Sequence, residues 1–395
     1  MKICIFTGTR AEYGLLLPLM RRIDADPDLE LLLLVTGSHL SERHGNTIKT
    51  IKADGFTVHA QVPLSLDDDS PAGVANALGE AVTGCAKALQ DIKPDMLVLL
   101  GDRYECFACA AAASIMHVPV AHIHGGEITE GAVDDYFRHA ITKMAHLHFA
   151  SCEQYRKRII QLGEQPDTVF NVGALGVENI RTIQLLDKST LETELDFNMG
   201  DYCLLTTFHP VTLDSDGEKQ VEAFFAGLNT IVESNPNVSV IITGANADPG
   251  GSAIDAQAAE LAKNRAQVLV TASLGQLRYL SAMKHCAAVV GNSSSGIIET
   301  PSFGIPAVNI GDRQKGRIQA DNTINCLPEE KLIISAIESA LSEHSATVAK
   351  NVRNPYENDN TSQRILEEIK RFSSNMKKTF FDASFQLSQH DSEEQ

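Results

Sequence analysis

The sequence has no long apolar run, and this absence excludes a protein that spans a membrane. Runs such as MLVLL at 96–100 are far shorter than the roughly 20 apolar residues that a transmembrane helix needs. The opening MKICIF is followed at once by TGTRAEYG, so a secretory signal cannot be built there. We therefore expect a cytoplasmic protein that has no membrane partner.

Positive charge is also scarce. The chain has 33 Lys and Arg residues against 51 Asp and Glu residues, which gives a formal net charge of −18. This balance disfavours a nucleic-acid partner, although a few local arginines could still hold a phosphorylated small molecule. The eight cysteines are scattered through 395 residues, which is typical of reduced thiols and not of a disulfide framework.

Short apolar runs alternate with amphipathic stretches along the chain, the pattern of βα units on parallel sheets. A chain of 395 residues is long for a single hydrophobic core. We predict an α/β protein with two Rossmann-like domains, at 1–175 and 176–357, that face each other across a cleft, and a disordered polar tail at 383–395. The predicted strands are KICIF, LELLLLV, DMLVLL, VPVAHI and, more weakly, TVFNVG in the first half, and YCLLTT, VSVIITG, QVLVT, AAVVG and PAVNI in the second.

Nearly every predicted strand ends in a glycine or a small polar cluster, and open parallel sheets bind ligands beyond the carboxyl ends of their strands. In VVGNSSSGIIE a strand leads into Gly291, three serines and Gly296. Backbone N–H groups and serine hydroxyls at a helix start suit a phosphate or diphosphate, whereas simple capping of the helix by serine is the alternative. Glu299, one turn further on, could accept hydrogen bonds from a ribose.

Two further strand ends carry candidate ligand residues. The block TGTRAEYG is neither a Walker A loop nor GxGxxG, which disfavours an ATPase and a nicotinamide-dependent enzyme. Arg10 in this block could bind a phosphate bidentately or form an ordinary surface salt bridge. In FHP, the proline leaves His209 at the end of a strand.

The stretch HIHGGEITEGAVDDYFRH at 122–139 concentrates titratable groups. His122 and His124 alternate along a strand and so share one face. An HxH pair also occurs in metal-dependent hydrolases, but here it follows several βα units. Acidic residues in a first helical turn favour the helix dipole, so Asp134 and Asp135 could be structural. We favour an acid–base cluster over a metal site.

Eight blocks occur in one order from residue 7 to about residue 360: TGTRAEYG, LGDRYE, HIHGGE, DDYFRHAITKMAHLHF, FHPVT, GNSSSGIIETPS, NIGDRQKGR and NPYEND. Together they resemble the UDP-N-acetylglucosamine 2-epimerases, above all the hydrolysing branch that releases N-acetylmannosamine for sialic acid synthesis. The resemblance implies a fold like the GT-B glycosyltransferases, with the nucleotide in the cleft between the domains. It also implies a homodimer and a C-terminal helix, at about 358–380, that returns to the first domain.

The resemblance implies roles for single residues as well. Asp102 and Asp134 match carboxylates that are assigned to acid–base work in the family. Many relatives have glutamate as the third residue of the HIHGGE block, where this chain has His124, so either His124 or Glu127 takes that role. The residues that the resemblance assigns to the UDP-sugar are Arg10, Arg103, Arg138, His209, Asn246, Ser294, Ser295, Gly296, Glu299 and Arg313.

The implied reaction removes UDP from C1 of a sugar and inverts C2. Because C2 is not next to a carbonyl, its proton can leave only as UDP is expelled, which gives a 2-acetamidoglucal that water then hydrates. No cofactor and no metal are required. The expected substrate is UDP-N-acetylglucosamine or, as the alternative, UDP-N,N'-diacetylbacillosamine, since some relatives with HIHGGE act on such 2,4-diacetamido sugars. A GT-B glycosyltransferase, a metal-dependent hydrolase and a nucleotide-sugar sensor without catalysis are the alternatives from other classes.

Overall fold

Two parallel β-sheets, each flanked by helices, make up the protein. The structure is a computed structural model and describes residues 1–68, 70–129, 133–209, 216–244, 251–373 and 376–384. All paired strands run parallel. The predicted α/β architecture with two Rossmann-like sheets is therefore confirmed.

The first sheet has the strand order β3-β2-β1-β4-β5-β6-β7, and we call it, with the helices packed on it, the first lobe. Its inner strands are almost fully buried, as expected when helices cover both faces of a parallel sheet. The strands are β1 Lys2–Thr7, β2 Glu30–Thr36, β3 Ala60–Val62, β4 Met96–Leu100, β5 Val120–Ile123, β6 Leu147–Ala150 and β7 Val169–Asn171.

The second sheet has the order β10-β9-β8-β11-β12-β13, and it forms the second lobe. The order places the carboxyl ends of β8, β11 and β12 side by side. The strands are β8 Tyr202–Thr207, β9 Val238–Thr243, β10 Val268–Thr271, β11 Ala288–Gly291, β12 Ala307–Ile310 and β13 Thr323–Cys326.

The helices connect successive strands and cover both sheets. None of the described helices is both long and apolar enough to cross a membrane. The helices are α1 Arg10–Ala25, α2 Ile48–Ala53, α3 Pro71–Ile92, α4 Tyr104–Ile115, α5 Asp134–Met144, α6 Glu153–Gln161, α7 Leu175–Thr182, α8 Lys188–Leu195, α9 Gly217–Ser234, α10 Gly251–Ala262, α11 Gly275–His285, α12 Ser295–Ile298, α13 Thr300–Phe303, α14 Glu330–Ala340, α15 Glu343–Asn351 and α16 Thr361–Arg371.

The chain leaves the first lobe after α7, which packs on α1, and returns to it at α16. Ile365, Leu366 and Ile369 of α16 join the apolar core that also contains residues of α1 and β1. After α16, residues 376–384 follow the surface of the first lobe, where the backbone N–H of Phe381 donates to the carbonyl of Gly163 at 2.9 Å. Residues 385–395, most of the predicted tail, lie outside the described residues.

Candidate active site

Asp102, Asp135 and Arg138 form an ion-pair cluster at the carboxyl edge of the first sheet. Asp102 follows β4, and its carboxylate accepts from the guanidinium of Arg138 on α5. Asp135 Oδ1 accepts from Nη1 of the same guanidinium at 2.5 Å. Arg138 also donates to the carbonyl of Glu127 at 3.0 Å and to Oγ1 of Thr129 at 2.8 Å. A fully buried arginine thus ties β4, α5 and the loop after β5 together.

The charge of Asp102 is controlled by this cluster. Burial alone would raise the pKa of Asp102, but Arg138, and then Arg317 and Arg103, lower the pKa below its ordinary value. Asp102 is therefore ionised at neutral pH. Asp134, the other predicted acid–base carboxylate, is the first residue of α5, one turn before Arg138, and is half-buried.

His124 and Glu127 lie beside this cluster. Nδ1 of His124 is 3.7 Å from Oε1 of Glu127, which also accepts from Oγ of Ser151 at 2.9 Å. The second carboxylate oxygen of Glu127 accepts from Arg317 of the second lobe. Burial lowers the pKa of His124. Burial would raise the pKa of Glu127, but Arg317, His124, Arg138 and Ser151 together lower it below its ordinary value. The site therefore combines a neutral imidazole with an ionised carboxylate.

His122 has a different environment from His124. Nε2 of His122 lies 2.7 Å from the carbonyl oxygen of Gly101, and Nδ1 lies 3.4 Å from Oγ1 of Thr142. Burial lowers the pKa of His122 to about 3, so the ring is neutral. Among the described residues, no group of three or more His, Cys, Asp and Glu side chains is placed to hold a metal ion. Since both ring nitrogens face protein groups, His122 supports the sheet edge.

The phosphate loop predicted after β11 has a conformation that requires glycine. Gly291 has φ +144, and a Cβ atom there would lie 1.9 Å from the carbonyl oxygen of Thr207. The side chain of Asn292 accepts from the backbone N–H of His209 at 2.7 Å and donates to the His209 carbonyl at 2.8 Å. Asn292 thereby fastens the loop after β8 to the serine loop that leads into α12.

Arg313 and Gln314, in the loop after β12, donate to the carbonyl of Asn292 at 3.1 and 2.9 Å. His209 is buried, and burial, followed by the nearby charge of Arg313, lowers the pKa of His209 to about 3. The imidazole is therefore neutral, and Arg313 supplies the positive charge. Together these loops offer backbone, hydroxyl and guanidinium groups to an anion.

Glu299 directly follows α12, one turn beyond the serines. Burial raises the pKa of Glu299 to about 8, and Ser295 acts in the opposite direction. Its Oε2 is buried without a hydrogen-bond partner among the described residues. The carboxyl group is affected less by the charge of Arg317 than by burial or by Ser295. It is therefore suited to a hydroxyl-bearing ligand.

The two remaining arginines lie at the ends of neighbouring strands. Arg10 begins α1 after β1, and its Nη1 donates across the cleft to Oγ of Ser273 at 3.3 Å. Arg103 precedes α4, and its Nε is 3.2 Å from Oε2 of Glu105. The predicted ligand residue Asn246 lies outside the described residues.

Several residues of this site were given no functional role from the sequence. Thr129 and Asp135 lie inside the histidine-rich stretch, and Arg317 lies inside NIGDRQKGR, so these motifs contained a signal. Ser151 follows β6, a strand that was not predicted. Asn292 lies between Gly291 and the serines, and the sequence pattern indicated no role for it. The structure brings Asp102, His124, Glu127 and Arg138 together on the first lobe. It brings His209 and Arg313 together on the second, where Glu299 lies next to Ser295.

A sequence profile described as UDP-N-acetylglucosamine 2-epimerase matches residues 21–370. The chain belongs to the UDP-N-acetylglucosamine 2-epimerase family. Within this family it is 42% identical, over 82% of the chain and 84% of the relative, to a GDP/UDP-N,N'-diacetylbacillosamine 2-epimerase (hydrolyzing) from Campylobacter jejuni. It is 34% identical, over 96% of both chains, to the polysialic acid biosynthesis protein P7 of Escherichia coli. The predicted family is thus confirmed.

A solved structure of the same family shows the same fold. The crystal structure of the UDP-GlcNAc 2-epimerase from Neisseria meningitidis bound to UDP-GlcNAc superposes with a TM-score of 0.80. The match covers 94% of this chain and 100% of that chain at 17% identity. The chain therefore has the two-sheet α/β fold of that epimerase structure.

Proposed function

We propose that this family member is a hydrolysing 2-epimerase that converts a UDP-linked 2-acetamido sugar into UDP and the free 2-epimer. The C2 proton is removed, its bonding electrons form the C1=C2 double bond, and the C1–O electron pair leaves with UDP. Water then adds to the 2-acetamidoglucal, with hydroxyl at C1 and a proton at C2 on the opposite face. Atoms and electrons balance without a redox cofactor.

The observation that carries the proposal is the pairing of two clusters across one cleft. The first lobe presents ionised Asp102 and neutral His124, together with Asp134 at the start of α5. Positioned acids and bases of this kind contribute about 10²–10⁴-fold each. The second lobe presents the serine loop and Arg313, which stabilise a leaving diphosphate by preorganised charge and dipoles.

The glutamate and arginines of the cleft complete the proposed contacts with the nucleotide. Glu299 accepts hydrogen bonds from the ribose hydroxyls, and Arg10 and His209 contact the diphosphate. Ser294, Ser295 and Gly296 bind phosphate at the start of α12. Arg103, Arg138 and Asn246 complete the predicted set.

We propose UDP-N,N'-diacetylbacillosamine and UDP-N-acetylglucosamine as the two substrates to compare. The 42% identity with the Campylobacter enzyme supports the first. The family description and the similarity to the polysialic acid biosynthesis protein support the second, with N-acetylmannosamine as the product. A higher kcat/KM for one of them decides the sugar.

The wider setting is proposed on similar grounds. We expect a cytoplasmic homodimer whose two domains are residues 1–175, with the C-terminal helix, and residues 176–357. All eight cysteines are free, which supports a reducing compartment. Light scattering of the purified protein tests the dimer.

The deciding experiment is incubation with each UDP-sugar in D₂O. We expect release of UDP and of a free sugar with inverted C2 that carries one deuterium at C2. A glycosyltransferase would leave C2 undeuterated, and a binding protein would release no UDP. Either result would sink the proposal.

A further inference from the structure

His124 is held in a costly arrangement directly after β5. Its backbone lies in the left-handed region, with φ +66, which is uncommon for a residue with a side chain and occurs often at functional sites. Its ring is 11% exposed, and Nε2 is buried without a hydrogen-bond partner among the described residues. An unpaired buried nitrogen also costs free energy. Two costs at one residue indicate that the ring is kept for a ligand.

Glu127 lies on the other side of the same ring. Its Oε1 is 3.7 Å from Nδ1 of His124, a distance longer than a hydrogen bond but close enough for the charge of the carboxylate to act on the neutral ring. A carboxylate on this side favours the tautomer with the proton on Nδ1, which leaves the lone pair on Nε2. Ser151 and Arg317 occupy the two carboxylate oxygens. Both oxygens of Glu127 therefore have donors that hold the carboxylate in place beside the ring of His124.

Arg317 reaches Glu127 from the opposite lobe and is itself held firmly. Its side chain is 8% exposed, and its Nη2 is 3.4 Å from Oγ1 of Thr129. The next residue, Ile318, donates its N–H to the hydroxyl of Tyr155 at 3.1 Å, and its carbonyl accepts from the hydroxyl of Tyr356 at 2.7 Å. These contacts fix the guanidinium relative to the first lobe. Its contact with Glu127 therefore joins the two lobes at the site.

We propose that His124, Glu127 and Arg317 form one relay assembled across the cleft, in which Nε2 of His124 accepts a proton from the sugar. The inference rests on the proposed function and names His124 as the catalytic member in the place of the family glutamate. On accepting the C2 proton the ring becomes an imidazolium, and the carboxylate of Glu127 balances its charge. The C2–H electrons form the C1=C2 double bond, and the C1–O electron pair leaves with UDP. Glu127 and Arg317 are positioning residues.

The charged groups around His124 make the relay testable through pH. Burial lowers the pKa of His124, Glu127 and Asp102 raise it, and Arg317 and Arg138 lower it. Removal of the Arg317 charge therefore raises the pKa of His124, whereas removal of the Glu127 charge lowers it. If His124 took no part in the proton transfer, these shifts would leave the acid limb of the kcat–pH profile in place.

The experiment compares kcat–pH profiles of the wild type, Arg317→Gln, Arg317→Lys and Glu127→Gln. We expect the acid limb to move to higher pH in Arg317→Gln and to lower pH in Glu127→Gln, with about a tenfold change in kcat per pH unit below the limb. Arg317→Lys keeps the charge and stays near the wild-type limb. Lys315→Gln removes the same charge at an exposed position of the same loop and leaves the limb in place. The relay is overturned if the acid limb stays in place in Arg317→Gln and Glu127→Gln, or if it moves in the same direction in both.

A measurement without turnover separates this inference from the proposed function. In ¹⁵N-histidine NMR, the ring signal that disappears in His124→Gln identifies His124 among the 13 histidines. We expect a neutral ring protonated on Nδ1, whose pKa rises in Arg317→Gln, while UDP binding measured by calorimetry shows that the variant is folded. A neutral ring protonated on Nε2, or a pKa that Arg317→Gln leaves unchanged, overturns the relay. A wild type that releases no UDP from either UDP-sugar overturns the function alone.

Discussion

Arg138 is a buried guanidinium between two carboxylates, Asp102 and Asp135. A buried charge is tolerated when it is paired and hydrogen-bonded, and loss of one partner leaves an uncompensated charge. The pair also keeps Asp102 ionised, because Arg138 opposes the effect of burial on its pKa. Asp102 is therefore suited to stabilise positive charge or to accept a proton in the transition state. It carries no proton to donate before the reaction begins.

We expect Asp102→Asn and Asp134→Asn to lower kcat at least about 10²-fold while UDP binding is retained. Asparagine keeps the shape and much of the hydrogen bonding but removes the basicity. Turnover and calorimetry with UDP measure the two effects, and Asp24→Asn, at an exposed position of α1, is the control. Near wild-type turnover in both variants would contradict the assignment.

Glu299 should make UDP binding depend on pH. Its pKa is raised to about 8 by burial, and ribose hydroxyls donate best to the ionised form. A ligand that prefers the ionised form binds more tightly as the pH rises through this pKa. We therefore expect UDP affinity to increase between about pH 6.5 and 8.5 relative to Glu299→Gln, measured by calorimetry. Parallel pH dependence in the two proteins would show that Glu299 does not contact the nucleotide.

At the level of single residues, sequence motifs identified the charged residues of the site but not which of them contact each other. Asp102, Glu127 and Arg138 lie in predicted blocks, yet their contacts depend on which strands are neighbours. Ser151 and Arg317 approach Glu127 from β6 and from the second lobe, 24 and 190 residues away in sequence. A local sequence pattern cannot predict contacts between residues that are so far apart in the chain.

The phosphate loop at β11 is the element on which nucleotide binding should depend most directly. We expect Ser294→Ala with Ser295→Ala to weaken UDP binding, because each lost hydroxyl donor to a charged acceptor is worth about 1.5–3 kcal/mol. Calorimetry measures the change, and Ser335→Ala, on the exposed surface of α14, is the control. Unchanged affinity in the double variant would remove the loop from the site.

The segment 376–384 stabilises the first lobe through Lys378. Its ammonium group donates to the carbonyls of Lys143 and Ala145 at the end of α5 and lies 2.8 Å from Oε2 of buried Glu164. Burial would raise the pKa of Glu164, but His148, Lys143 and Lys378 lower it to about 2. The stabilisation is therefore present above the ordinary pKa of glutamate and is lost as the pH falls toward 2.

We expect Lys378→Ala to lower the free energy of unfolding by about 1–3 kcal/mol at pH 7, because buried acceptors lose a charged donor. Urea denaturation measures the loss. Lys331→Ala, on the exposed surface of α14, should change stability by less than about 0.5 kcal/mol. An equal loss in the free energy of unfolding in both variants would mean that the segment does not stabilise α5.

Among the elements, the apolar strands were predicted, including short ones such as β7, whereas β3, β6 and β13 were missed. β6 is only LHFA and follows α5 almost without interruption, and because both faces are buried it shows no alternation that would separate it from a helix. β13, TINC, is an edge strand with polar residues. Tertiary pairing, and not local composition, makes these segments strands.

For the whole molecule we expect catalysis to be independent of a metal ion. Both ring nitrogens of His122 face protein groups, so the HxH pair does not offer two nitrogens to one ion. Activity should survive EDTA, and the purified protein should contain no stoichiometric zinc by elemental analysis. Complete loss of activity with chelator, restored by one divalent ion, would favour a metal-dependent hydrolase.

The return of α16 to the first lobe has a consequence for the order of events during synthesis. The core that β1 and α1 begin to build contains Ile365, Leu366 and Ile369, which leave the ribosome only after every strand of the second lobe. The second lobe can therefore complete its core before the first. The first lobe is synthesised first but exposes apolar surface until α16 has been made. Chaperones and proteases would bind this exposed surface.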